Sequence, residues 1–165
     1  MVTPEYVRTM AAYNAEMNRR LYAAADRLSD AERRAERGAF WGSIHGTFNH
    51  LLWADQMWMS RFDGWEKPPV SIKQSAGTMD AWDAMRAKRA ELDARLEEWA
   101  GRVSPEWLSG SLTWFSGAAQ REMSRKRDVL VVHLFNHQTH HRGQAHALLT
   151  AAGQETGDTD LPWII

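Results

Sequence analysis

Apolar residues recur at intervals of three and four along four separate segments of this chain, and that periodicity commits it to a helical fold. Thr3-Pro4-Glu5 reads as a helix start, with Thr3 as N-cap and Pro4 at the first helical position. Tyr6, Met10, Tyr13, Met17, Leu21, Ala24 and Leu28 then mark one face, and the helix is predicted to stop near Ser29. Ser29-Asp30-Ala31-Glu32 has the form of a capping box opening a short helical turn, closed by Gly38. A second helix starts at Ser43, striped by Ile44, Phe48, Leu51, Asp55, Trp58 and Phe62, and ends at Gly64 before Pro68-Pro69. A third begins around Thr78, carries Trp82, Met85, Arg89, Leu92, Leu96 and Trp99 on one face, and stops at Gly101. From Ser104 to Ser124 the helical period fails, and this stretch is read as an irregular insertion or a small hairpin turning at Ser116-Gly117. The last helix runs from about Lys126 to Ala152. Its successor, the apolar tail Leu161-Pro162-Trp163-Ile164-Ile165, is expected to dock on the body. Four long amphipathic helices predict an all-α, four-helix bundle forming one domain over residues 1–165.

At 165 residues such a chain buries enough surface to fold without a staple. It has no Cys, which excludes a thiolate nucleophile, a Cys-type zinc site and an iron–sulfur cluster. Any metal must therefore be held by His, Asp or Glu. A net charge of −1 gives no general field for nucleic acid. The longest aliphatic run is Val129-Leu130-Val131-Val132, far short of a membrane span. Without a recognisable signal segment, a cytoplasmic location is the expectation.

Five of the seven His lie between positions 133 and 146. On the last helix the apolar stripe reads Leu130, Leu134, His137, His141, Ala145 and Leu148, so two His stand where apolar residues belong. Residues four apart share a helix face, about 5–6 Å between Cβ atoms, and both rings can reach one ion. A lone His in a core slot is more often a hydrogen-bonded core residue than a ligand. A pair is harder to place, because two adjacent imidazoles repel when protonated and are polar when neutral. Both readings stand at this point, a buried polar pair and a metal pair. If a metal is bound, His50 is the best third ligand, since it adjoins the inward stripe of the second helix. Three imidazoles would leave coordination positions open, as in catalytic sites.

The other histidines are weaker. His133 and His140 either line the site or face solvent, and His45 and His146 read as peripheral. Asp55 either orients a ligating imidazole or pairs with Arg89, which also intrudes on an apolar stripe; the ion pair is the expected arrangement. Trp53, Trp58, Trp82 and Trp99 fall on helices and read as packing. Trp41, Trp65, Trp107 and Trp114 fall outside them, where they roof a pocket or an oligomer contact. His137-Gln138-Thr139-His140-His141 lacks the Glu of a metalloprotease motif, and no Glu-x-x-His, Walker loop or dinucleotide fingerprint occurs.

Two runs carry a resemblance. His45-Gly46-Thr47-Phe48-Asn49-His50-Leu51-Leu52-Trp53-Ala54-Asp55 and Val132-His133-Leu134-Phe135-Asn136-His137-Gln138-Thr139-His140-His141-Arg142-Gly143-Gln144 resemble the DinB family of the DinB/YfiT-like superfamily. Tyr13-Asn14 and Asn18-Arg19-Arg20-Leu21 are similar to that family's first helix. The resemblance implies a four-helix bundle holding one divalent ion, zinc or nickel, through three His that map onto His50, His137 and His141. It also implies a homodimer. Some superfamily members transfer low-molecular-weight thiols to electrophiles and some isomerise maleylpyruvate, so a small-molecule substrate is expected, with no nucleic acid or membrane partner.

The leading functional expectation is thus a metal-dependent thiol S-transferase. A metal-dependent hydrolase and a non-enzymatic metal-binding or sensing bundle are the alternatives. Arg142 is placed to attract a cofactor carboxylate, although a solvated surface position is expected for it.

Overall fold

A computed structural model describes residues 1–117 and 119–165. The helices in chain order are α1 (Pro4–Ala25), α2 (Asp30–Arg34), α3 (Ile44–Phe62), α4 (Trp82–Arg102), α5 (Pro105–Ser109), α6 (Arg127–Ala151) and α7 (Leu161–Ile164). A 3₁₀ turn spans Ile72–Gly77, and strands β1 (Ser111–Ser116) and β2 (Arg121–Lys126) pair antiparallel. The fold is mostly helical, with this two-stranded sheet as its β component. Helix α1 lies against α4 and α6, and α3 lies against the same two. Among the described residues no helix is long and apolar enough to cross a membrane.

Helix boundaries follow local chemistry. Thr3 Oγ1 accepts a hydrogen bond from Tyr6 N at 3.3 Å, and Pro4 occupies the first turn, where its missing N–H costs nothing. α1 stops at Ala25, a few residues earlier than the stripe predicts. There Arg33, buried in spite of its charge, donates from Nη1 to the carbonyls of Ala25 (3.1 Å) and Leu28, capping the electronegative end of α1. The Ser29–Glu32 capping box forms as predicted, with Ser29 N donating to Glu32 Oε2 at 2.7 Å.

α3 is buried on nearly every side over Ile44–Asp55, more than one amphipathic stripe requires. The reason is a polar strap. Asn49 Nδ2 donates to the Met79 carbonyl at 2.9 Å while its Oδ1 accepts from Met79 N at 2.7 Å, and His45 Nε2 lies 3.1 Å from the Asp80 carbonyl. These bonds hold the segment that includes the 3₁₀ turn across α3. His45 is therefore buried, not peripheral. They also explain why α4 starts at Trp82 rather than near Thr78, since the preceding residues are committed to the strap.

The stretch before α6 resolves into a hairpin, one of the two readings the sequence allows. Strand β1 ends at Ser116, so the chain leaves the strand at the expected Ser116-Gly117 position, and β2 begins at Arg121. Trp107, expected outside the helices, sits on α5 and packs edge-on against Phe62 and Trp99. The tail forms α7 against α1, yet Trp163 remains 79 % exposed, so docking is only partial.

On α6 the buried residues are Leu130, Val131, Leu134, Phe135, Gln138, His141, Arg142, Ala145 and Leu149, so Leu130, Leu134, His141 and Ala145 of the predicted stripe are buried while His137 and Leu148 are not. Its centre is rotated from the predicted one. Gln138 is fully buried and His137 is displaced to the flank, because an ionic cluster occupies the core. Asp55 Oδ2 accepts from Arg89 Nη1 at 2.6 Å, Arg89 Nη2 lies 2.8 Å from Asp93 Oδ1, and Gln138 Nε2 donates to Asp55 Oδ1 at 2.9 Å. Asn14 and Asn18 of α1 donate to the same Asp93 oxygen at 3.2 and 2.9 Å. Arg142 is drawn inward too, donating to Asn14 Oδ1 and, at 3.3 Å, to Thr139 Oγ1. Its guanidinium is buried instead of solvated. Polar side chains of all four long helices thus meet in one network, and the Asp55–Arg89 pair forms as expected.

Candidate metal centre

His50 projects from the second turn of α3, and His137 and His141 project from successive turns of α6. One ring nitrogen from each lies within 4.8 Å of the other two, which makes them a group able to hold a metal ion. His50 Nε2 and His137 Nε2 are 3.2 Å apart. Two nitrogens bound at roughly 2.0–2.1 Å in a tetrahedral arrangement sit about 3.3 Å from each other. The observed edge matches that spacing.

Hydrogen bonds set the tautomers. His50 Nδ1 is 2.9 Å from Ser75 Oγ in the 3₁₀ turn, a hydroxyl able to accept from Nδ1–H in the tautomer that leaves the Nε2 lone pair for the centre. His141 Nδ1 donates to Gln144 Oε1 at 2.7 Å, with the same consequence for its Nε2. His137 Nδ1 is buried with no partner among the described residues. That leaves its outer side held by packing, with the 3.2 Å contact to His50 Nε2 on the inner side.

Electrostatics keep all three rings neutral. Burial first, then the neighbouring His141 and His137, push His50 down to about 3. Burial and His141 push His137 down to about 4. Burial also lowers His141, against the opposing pull of its bond to Gln144. Neutral imidazoles are the form that binds a cation.

Aromatic rings enclose the group. Trp41 stacks on His50 with ring centroids 3.8 Å apart and 19° between planes, and lies 6.2 Å from His141. Trp53 lies near-parallel to the same imidazole, with centroids 6.0 Å apart and 20° between planes. Trp41 is held there through Gly46, whose missing side chain lets the Trp41 carbonyl approach the start of α3. A Cβ at Gly46 would lie 2.2 Å from that oxygen.

Two clefts meet at the centre. A smaller one, of about 270 Å³, is lined by Phe40, Trp41, His140, His141 and Gln144. A larger one, of about 600 Å³, is lined by Trp53, Trp58, Arg61, Trp114 and His133, and both include His50, His137 and Ile72. The three histidines selected by register and resemblance are thus brought together. His133 lines the larger cleft with its ring 5.0 Å from Trp58, and exposed His140 borders the smaller one. His45 belongs to the strap, and His146 bonds Thr156 Oγ1 through Nδ1 at 3.0 Å, away from the centre. Of the Trp outside the long helices, Trp41 and Trp114 line the clefts, whereas Trp65 is buried with Arg95 over its ring. Sequence reasoning passed over Ser75, Gln144 and Arg61. Gln144 carried a signal, three residues after His141; Ser75 carried none, since only the strap brings it to His50.

Among protein-family models, the DinB family matches residues 1–165, the whole chain. No curated protein and no solved structure matches it with significance.

Proposed function

The chain belongs to the DinB family, and on that premise we propose that it is a one-domain, four-helix-bundle metalloprotein in which His50, His137 and His141 hold a divalent cation. The observation that carries this reading is the convergence of three neutral imidazoles from two helices, with one ring nitrogen of each within 4.8 Å of the others and a 3.2 Å edge between two of them. Zinc and nickel both suit three nitrogen donors. Such an ion is a Lewis acid that lowers the pKa of a thiol or water arriving at its open positions.

We further propose thiol transfer as the reaction, with a low-molecular-weight thiol and a small electrophile as substrates. In this step the thiol releases its proton to solvent, its sulfur bonds to an electrophilic carbon, and the bond from that carbon to its leaving group breaks, the leaving group departing with the electron pair. The residues around the centre support it. Ser75 and Gln144 orient the imidazoles, Trp41 and Trp53 exclude water from His50, and the larger cleft offers room for a second substrate. A chain without Cys presents no thiol of its own to compete. Hydrolysis is less well supported, because Asp55, the carboxylate it would use as general base, is engaged by Arg89 and Gln138 inside the core. A homodimer completes the proposal on the strength of the family resemblance, and a cytoplasmic location is proposed alongside it.

Calorimetric titration with zinc and nickel tests the metal, with one equivalent bound by the wild-type protein and binding lost in His137→Ala. Loaded protein is then assayed with monochlorobimane and a panel of thiols. Turnover that survives His137→Ala would refute the reaction, and tight metal binding with no turnover would favour the non-enzymatic sensing role.

A further inference from the structure

Arg61 lies three turns beyond His50 on α3 and lines the larger cleft. Its guanidinium carbon sits 4.5 Å from the Trp58 ring centre and 5.5 Å from that of Trp114. Indole rings offer a cation their π-electrons but no hydrogen-bond acceptor, so none of its five N–H donors is satisfied by them. Among the described residues no carboxylate lies in ion-pair distance of Arg61 and no oxygen accepts from it. The other arginines drawn into the body are all partnered: Arg33 by carbonyls, Arg89 by Asp55 and Asp93, and Arg142 by Asn14 and Thr139. Among the described residues no Asp, Glu or Lys lines this cleft, so Arg61 is its one formally charged side chain, in a half-dry setting where that charge acts strongly.

Helical side chains lean toward the N-terminus, which brings the guanidinium over Trp58 and roughly 12 Å along the helix from His50. We propose that Arg61 recognises a carboxylate on the substrate, at the end remote from the reacting atom, while Trp53, Trp58 and Trp114 hold an apolar or aromatic body between them. This rests on reading the three-histidine centre as the place of reaction. A planar guanidinium with open donors matches a carboxylate in two-pronged fashion.

Binding to metal-free protein tests the inference apart from the metal, with tryptophan fluorescence as the readout. The probes are cinnamate against cinnamamide, for a carboxylate on the electrophile, and N-acetylcysteine against its amide, for a carboxylate on the thiol. Wild-type protein should bind at least one acid ten-fold or more tightly than its amide, and Arg61→Met should erase that preference. Arg61→Lys should keep part of it and shows that the effect is one of charge if the methionine variant fails to fold. Loss confined to cinnamate assigns the carboxylate to the electrophile, and loss confined to N-acetylcysteine assigns it to the thiol. Equal binding of acid and amide by the wild type, or unchanged preference in Arg61→Met and Arg61→Lys, overturns the proposal. Failure of zinc titration with an intact Arg61-dependent preference would instead remove the metal reading and leave the anion site standing.

Discussion

Replacing Arg89 by Met tests the ionic cluster that fixes α3 against α6. Arg89 is 3 % exposed and faces two carboxylates, Asp55 at 2.6 Å and Asp93 at 2.8 Å. Methionine fills similar volume without charge, leaving Asp55 with Gln138 and Asp93 with Asn14 and Asn18. Breaking a buried pair by removing one partner costs about 3–5 kcal/mol, a third or more of the stability of an average domain. The loss depends on pH with a definite sign. Burial pushes Asp93 up to about 6 even with Arg89 beside it, and losing Arg89 pushes it higher. A carboxylate whose folded pKa exceeds its unfolded value binds more protons when folded, so stability falls as pH rises through that interval. The variant should therefore lose less at pH 5 than at pH 8. Urea unfolding followed by circular dichroism, with both proteins at each pH, measures this directly. The triple variant Asp55→Asn, Arg89→Met, Asp93→Asn should recover part of the loss, since neither carboxylate is then stranded, while buried Arg142 gives up their attraction. A loss under about 1 kcal/mol at pH 8, or a triple variant no more stable than the single one, would refute the reasoning.

Three further outcomes follow from the centre itself. Ser75→Ala removes the acceptor for His50 Nδ1 and should weaken zinc binding about 10–100-fold by calorimetry with little change in thermal stability; equal affinity would count against the assigned tautomer. Gly46→Ala places a Cβ 2.2 Å from the Trp41 carbonyl, so the loop must shift. It should cost about 1–3 kcal/mol and change tryptophan emission as Trp41 leaves His50, whereas a wild-type melting curve would show that the contact is unimportant. Because His50 and His137 are held at about 3 and about 4, below the unfolded value, metal-free protein keeps this stabilisation above pH ~6.5 and loses it as pH falls toward 4. Urea midpoints that do not decline over that range would contradict the burial of these rings.

Periodicity made the helices legible because each must bury one face, and caps such as Thr3 and the Ser29–Glu32 box mark ends by short-range chemistry. It also drew attention to His137 and His141, since an imidazole in an apolar register demands an explanation. It erred where polar groups satisfy one another across the core. Arg142 looked solvated by type, yet Asn14, 128 positions away, accepts from it; His45 looked peripheral, yet the Asp80 carbonyl partners it. A pattern of spacing counts apolar residues and is blind to such distant pairings. The same blindness displaced His137. With Gln138 turned inward to Asp55, His137 moves to the flank of the helix.

That displacement has a chemical consequence. In the predicted slot His137 would be sealed in the core beside Leu134, where no substrate could reach an ion it held. On the flank it borders both clefts while still lying 3.2 Å from His50 Nε2. The ionic cluster behind the site therefore does more than join helices. By claiming the central position of α6 for Gln138, it turns His137 toward the surface while His141 stays in the buried stripe, and so makes the centre accessible to a ligand. Stability and access are coupled through one residue: Gln138→Leu, which suits the core by size and polarity, strands an Asp55 oxygen and frees α6 to rotate. It should lower zinc affinity together with stability. A variant that loses stability but binds zinc as the wild type does would separate the two roles and show that His137 is positioned by the helix backbone alone.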